Sequence, residues 1–226
     1  MTRRRKRTTG ILFDIDGTLI DSNDIHARAW VEAFAEFDKN IPFGIMRSQI
    51  GKEGDLLVPD LLSAREMQNF GEKVKKRRPA IFKAKYRSQI RPFKRVREDL
   101  EVFHARGIQM ALASSANPDE VDYYIQLMKI GELIETATSN EDAKFSKPSP
   151  EIFQAALLKL GTSARQTLVV GDTPWDILAA HRCALPIAAV RSGGFERSTL
   201  TKAEFIFSSV HTLVERIEKI DDYFNE

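Results

Sequence analysis

Ile11-Leu12-Phe13-Asp14-Ile15-Asp16-Gly17-Thr18 is the stretch from which the fold of this chain can be read. An apolar, strand-like run ends abruptly in two carboxylates separated by one residue. Asp is depleted from strands, and a buried carboxylate needs hydrogen bonds, a countercharge or a metal. Neighbouring acids also repel, and a cation between them relieves the repulsion. The stretch therefore reads as half of a metal-dependent catalytic site. The other half has to come from elsewhere in the chain.

Working outward, apolar residues recur with a helical period at Ile25, Ala29, Trp30, Ala33, Phe34 and Phe37, with Ser22 or Asn23 as a natural N-cap. Further helices are expected around Ser48–Leu62 and Ala64–Ser88, with loops near Pro42, Gly51-Lys52-Glu53-Gly54 and Arg91-Pro92. No strand pattern shows between Leu19 and Ile90. From Glu98 onward helices alternate with short apolar strands. The helices fall at Glu98–Ala105, Asp119–Lys129, Glu151–Leu160, Trp175–Cys183 and Val210–Ile217. The strands fall at Ile108–Ala113, Leu133–Thr138, Gln166–Val170, Ile187–Val190 and Glu204–Phe207. Such alternation predicts an α/β fold, a doubly wound parallel sheet with helices on both faces. The helical block after the first strand reads as an inserted domain. The expected division is a basic disordered tail at 1–9, a core at 10–18 and 93–226, and a helical insert at 19–92.

Chemistry in such sheets gathers at the carboxyl ends of the strands. The first strand delivers Asp14 and Asp16 there, and Ile108–Ala113 delivers Ser114 and Ser115. Leu168–Val170 delivers Gly171-Asp172, with Asp176 one turn further on, and the loop Phe145-Ser146-Lys147-Pro148-Ser149-Pro150 presents a lysine between prolines. An oxygen-rich acidic set without His or Cys suits Mg²⁺. Ser114 and Lys147 are suitable partners for phosphoryl oxygens. Backbone N–H groups near Gly17 and after Ser115 would complete the cradle.

Composition sets the frame. The chain of 226 residues, 42% hydrophobic and 29% charged, has the balance of an ordinary globular protein. A single cysteine, Cys183, excludes an intramolecular disulfide and favours a reducing, cytoplasmic setting. No stretch approaches the roughly 20 apolar residues that span a bilayer, and the basic N-terminus leads straight into the Asp14 strand without an apolar signal segment. The run Arg3, Arg4, Arg5, Lys6 and Arg7 outweighs the net charge of +2, which leaves the remainder acidic. That run reads as a solvated tail, or else as a polyanion-binding arm. A second cluster, Lys73, Lys75, Lys76, Arg77 and Arg78, lacks interleaved aromatics and reads as the wet face of a helix.

In this order, Asp14-Ile15-Asp16-Gly17-Thr18, Ser114, Lys147-Pro148 and Gly171-Asp172 with Asp176 resemble the four motifs of the haloacid dehalogenase superfamily. The insert resembles the C1-type cap of its phosphoglycolate phosphatase and β-phosphoglucomutase-like members. The likeness spans roughly Gly10 to Arg191. It implies a Mg²⁺-dependent phosphatase acting on a small phosphate monoester through an aspartyl-phosphate. Asp14 would be the nucleophile and a metal ligand. Asp16 would be the acid–base group, binding metal through its main-chain carbonyl. Ser114, with Ser115 and Gly17 nearby, would hold phosphoryl oxygens. Lys147 would neutralise charge, Asp172 would bind Mg²⁺, and Asp176 would support the site through a metal-bound water or Lys147. The metal set is thus Asp14, Asp16, Asp172 and Asp176. An acid at Asp16 favours phosphoryl transfer, since the metal-independent dehalogenases typically lack one there.

Two alternatives stay open. His26 matches an acid–base histidine of β-phosphoglucomutases, which would make the chain a phosphomutase. However, Asn117 stands where those enzymes typically carry a lysine. The chain could also be a non-catalytic binding module, although such a module would have no chemical need for the full acid set. Lys52, in the loop where C1 caps approach substrate, could meet an anionic leaving group. Trp175 could wall the site, and Arg191-Ser192-Gly193-Gly194-Phe195 could border it. Cys183 reads as a small buried hydrophobe, and His104, His181 and His211 lack ligand-like spacing. The expected partner is a small-molecule phosphate, not a membrane or nucleic acid, with the chain a monomer or homodimer.

Overall fold

The computed structural model describes residues 8–225. Its frame is a six-stranded sheet in the order β5-β4-β1-β6-β7-β8, with every neighbouring pair parallel. The strands are β1 (Gly10–Phe13), β4 (Gln109–Ala113), β5 (Thr136–Thr138), β6 (Thr167–Gly171), β7 (Ile187–Val190) and β8 (Phe205–Phe207). β2 (Ile20–Asp21) and β3 (Arg91–Pro92) form a separate antiparallel ribbon. The helices are α1 (Asn23–Ala35), α2 (Phe43–Gln49), α3 (Gly54–Leu61), α4 (Ala64–Glu66), α5 (Glu72–Ile81), α6 (Val96–Ala105), α7 (Pro118–Met128), α8 (Glu151–Leu160), α9 (Pro174–Arg182), α10 (Val210–Val214) and α11 (Ile217–Tyr223).

The central strands are buried on both faces, as a parallel sheet requires, so their apolar runs sort by alternation. Ile11 and Phe13 on β1, Leu112 on β4 and Val170 on β6 face one core cluster. Leu12, Ala111 and Val169 face the other. Phe13 meets Phe103 of α6 with ring centroids 5.9 Å apart. α1 to α5 and the turn from Phe82 onward lie between β2 and β3, and their Trp30, Phe34, Val58 and Phe82 join the apolar cluster that holds Ile11 and Phe13.

The structure departs from expectation where local pattern is weakest. The β2–β3 ribbon lies at the two ends of the helical block, Ile20 opposite Pro92 and Asp21 opposite Arg91. Two residues per strand are too few to show a period of two. The helix expected around Ser48–Leu62 starts earlier and is two, α2 and α3, parted at the loop expected near Gly51-Lys52-Glu53-Gly54, where Gly51 takes a positive φ of 99°. The expected Ala64–Ser88 helix passes through two π-helical stretches, Met67–Gly71 and Phe82–Tyr86; Pro79 inside α5 also lacks an N–H for the helical ladder. The strand expected from Leu133 begins only at Thr136, and the last helix divides into α10 and α11.

The basic run Arg3–Arg7 lies outside the described residues. Thr8 and Thr9, placed within the expected tail, are tied down: the Thr8 N–H donates to Asp221 Oδ1 (2.9 Å) and the Thr9 N–H to the Gln166 carbonyl (2.8 Å). Among the described residues no helix is long and apolar enough to cross a membrane.

Candidate active site

The carboxyl edge of the sheet collects the acids. Asp14 continues the β1 ladder, its N–H donating to the Val170 carbonyl at 2.8 Å, and its side chain is buried. Asp172 follows β6 directly and is fully buried. Asp176 sits in the first turn of α9, where Thr173 and Asp176 form a reciprocal capping box. Carboxylate oxygens of Asp14, Asp172 and Asp176 lie within 4.8 Å of one another. Lys147 reaches into this group, bonding to Asp14 Oδ1 and pairing with Asp176 Oδ1 at 2.8 Å.

Three buried carboxylates with one ammonium carry excess negative charge, and their protonation reflects it. Burial raises the Asp14 carboxyl to about 7, with Lys147 opposing and Asp176 and Asp16 adding to the rise. Burial likewise pushes Asp172 well above the usual carboxylate range, reinforced by Asp14 and Asp176. For Lys147 burial disfavours the charge, but Asp14 and Asp176 outweigh it and raise its affinity for the proton. The Asp172 Oδ1 atom is buried without a hydrogen-bond partner. A set of hard oxygen donors with surplus charge and an orphaned oxygen fits a small divalent cation.

Asp16 points elsewhere. Its Oδ1 accepts from Ser22 Oγ (2.5 Å) and pairs with His26 Nε2 (2.7 Å). Burial favours its neutral form, but the His26 ring, the Ser22 hydroxyl and Arg78 prevail and hold it near 2. His26 stacks on Phe82 with centroids 4.6 Å apart, and its Nδ1 meets Arg78 Nη2. A guanidinium can only donate, so Nδ1 accepts, and Nε2 carries the proton that is given to Asp16.

Gly17 makes the turn after Asp16 at φ 74°, and a Cβ there would fall 2.3 Å from Asp172 Oδ2. Ser114 is buried after β4; its Oγ accepts from the Ala116 N–H at 3.1 Å, so its own proton is free to donate. Ser115 lines the same cavity, of about 170 Å³, with Asp14, Asp16, Lys147 and, from the helical block, Glu53 and Arg78. Asn117 caps α7, accepting from the Glu120 N–H at 3.0 Å.

The remaining candidates divide. His26 is in the site. Lys52 lines the cavity, but its ammonium is engaged by Gln49 Oε1 (2.7 Å) and Asp60 Oδ2 (2.6 Å) above the Trp175 ring. Trp175 packs beneath Lys52 and Gly51, outside the cavity wall. The loop after β7 does border the site, since Gly193 approaches Asp172 so closely that a Cβ would overlap its Oδ2. Cys183 is half-buried, burial pushing its thiol up to about 11, and His181 and His211 pair with Glu204 and Asp99.

Four participants escaped the sequence reading. Neither Ser22 nor Asn23 caps α1 with its side chain. Ser22 holds Asp16, and Asn23 Nδ2 bonds Asp172 Oδ2 (2.7 Å) and the Gly193 carbonyl (3.0 Å). Arg47 of α2 donates to the same carbonyl and lies over Phe195 at 5.1 Å. Arg78, counted with a wet helix face, points into the cavity instead. The one signal available was the pair of short polar residues following the acidic turn.

The model for haloacid dehalogenase-like hydrolases matches residues 11–190, and the chain belongs to that family. It is 27% identical over 185 residues to the pyrophosphatase PpaX of Bacillus velezensis, covering 82% of this chain and 84% of the relative. It is 28% identical over 189 residues to the phosphoglycolate phosphatase of Pasteurella multocida, covering 80% and 84%. A solved hydrolase from Pseudomonas syringae superposes with a TM-score of 0.85 at 27% identity, covering 94% of this chain and 99% of that one.

Proposed function

We propose that the protein is a Mg²⁺-dependent phosphatase that hydrolyses a small phosphorylated metabolite through an aspartyl-phosphate on Asp14. The observation that carries this reading is the buried group Asp14, Asp172 and Asp176, with Lys147 bridging Asp14 and Asp176 where these line a cavity. The named activities of the two relatives, both phosphate-releasing hydrolases, point the same way.

Asp14 and Asp172 would hold the metal with the Asp16 main-chain carbonyl, and Asp176 would support it through Lys147. Mg²⁺ bound there supplies positive charge to the phosphoryl oxygens and to the acids around them. Ser114 donates to one phosphoryl oxygen and Lys147 neutralises another. An Asp14 carboxylate oxygen attacks phosphorus, the bond to the leaving oxygen breaks, and Asp16 gives that oxygen a proton. Water then attacks the phosphorus of the aspartyl-phosphate, Asp16 takes its proton, and Asp14 and phosphate separate. The second half requires ionised Asp16, the form that His26 and Ser22 hold. The first half requires the protonated form, so substrate must loosen one of those bonds. Residues 19–92 would act as a cap, with the β2–β3 ribbon at its hinge, excluding water during the first transfer.

Asp14→Asn tests the nucleophile. The variant should keep the wild-type melting temperature and lose Mg²⁺-dependent release of p-nitrophenol from p-nitrophenyl phosphate. Turnover that survives in it would remove Asp14 from the role.

A further inference from the structure

Three cationic side chains line the cavity over Asp14: Lys52, Arg78 and Lys147. Lys147 is matched by Asp14 and Asp176, and Lys52 by Asp60. Among the described residues Arg78 makes no salt bridge; the nearby Glu53 and Asp16 carboxylates feel its charge without touching it. Its guanidinium lies over the rings of Trp30 (5.6 Å) and Phe82 (5.0 Å), one Nη bonds His26 Nδ1, and its buried Nε has no hydrogen-bond partner. Aromatic faces offset part of the cost of placing a cation there, but they leave the donor fork unmatched. That planar fork is the geometry suited to a carboxylate or phosphate.

We propose that Arg78 binds a second anionic group on the leaving portion of the substrate. The proposal rests on the phosphatase reading and deepens it: the substrate class is a small phosphate ester or anhydride bearing a carboxylate or second phosphate. The reach is short. His26 bridges Arg78 and Asp16, so the second anion sits about one imidazole width from the group that protonates the leaving oxygen. A few bonds separate the two anions. A neutral sugar or alcohol in that place would leave a desolvated guanidinium unpaired, which is a penalty against such substrates.

The test uses non-hydrolysable pairs at fixed free Mg²⁺, measured by calorimetry on the whole protein. Phosphonoacetate is compared with 2-hydroxyethylphosphonate for the carboxylate case, and methylenebisphosphonate with methylphosphonate for the phosphate case. Wild type should bind the acidic member of at least one pair about tenfold or more tighter, the scale of one charge-assisted contact. Arg78→Met should bring that ratio close to one, and Arg78→Lys should restore part of it, because it returns the charge without the fork. A wild-type ratio near one in both pairs would overturn the proposal. So would a ratio unchanged in Arg78→Met and in Arg78→Gln, since a structural role would weaken both members alike. Wild-type turnover of p-nitrophenyl phosphate, run alongside, separates the two claims: its absence defeats the phosphatase reading, while the affinity ratio still judges Arg78.

Discussion

Asp172 shows how much a single carboxylate here depends on residues far from it in sequence. Its Oδ2 accepts one hydrogen bond from Asn23, which shares the neighbouring Gly193 carbonyl with Arg47, so the helical block reaches the core acid directly once and the loop beside it twice. Groups bonded behind a metal ligand commonly change metal affinity by about 10- to 100-fold when removed. Asn23→Ala should therefore weaken Mg²⁺ binding by roughly tenfold in a calorimetric titration. Wild-type affinity in that variant would mean that Asn23 only fills space. At this scale the residue types of the acids, Ser114 and Lys147 were legible, because no other role explains such groups at strand ends. Asn23 and Arg78 were not. An Asn at a helix start has an ordinary capping use, and an Arg in a basic helix has an ordinary solvated one. Only the direction in which each side chain points separates those uses from the observed ones.

Among the elements, the long helical run that begins at α4 illustrates a start defined locally and held from outside. Ser63 and Glu66 form a capping box, and Lys39 reaches across from the α1–α2 connection to Glu66 Oε1 at 2.7 Å. The Lys39 contact first, then the Ser63 backbone and hydroxyl, lower the Glu66 carboxyl from 4.5 to about 2. A depressed folded-state value means that the contribution to stability is present above 4.5 and is lost as pH falls toward 2. Glu66→Gln retains a side chain able to cap and removes the charge. Its melting temperature should lie below wild type at pH 7, and the gap should narrow steadily as pH falls from about 5 toward 2. A gap independent of pH would assign the effect to the cap alone. The Ser-x-x-Glu spacing is visible in sequence, whereas Lys39 as its partner is not. The same division holds for the β2–β3 ribbon, whose pairing joins residues about 70 positions apart along the chain.

For the molecule as a whole, a buried acidic cluster is a liability until it is neutralised. A cation that binds only the folded chain adds stability by mass action, about 2.7 kcal/mol at one hundred times its dissociation constant. Wild type should accordingly melt at higher temperature as Mg²⁺ is raised, and Asp172→Asn should lose most of that increase. Equal increases in both proteins would place the metal elsewhere. The sequence by itself determined the sheet, because apolar runs alternating with helical periods have few ways to bury their surface. It also determined the chemistry of the four motif acids, the hydroxyl and the lysine, since those residue types at strand ends are costly without a use. Tertiary structure alone decided the rest. Asp16 turned toward His26 and Asp176 toward Lys147. Lys52 pairs with Asp60, while Arg78 lines the cavity without a salt bridge among the described residues. The reason is physical: periodicity encodes which face is apolar, but the partner of a long polar side chain is set by what folding brings within about 3 Å of it.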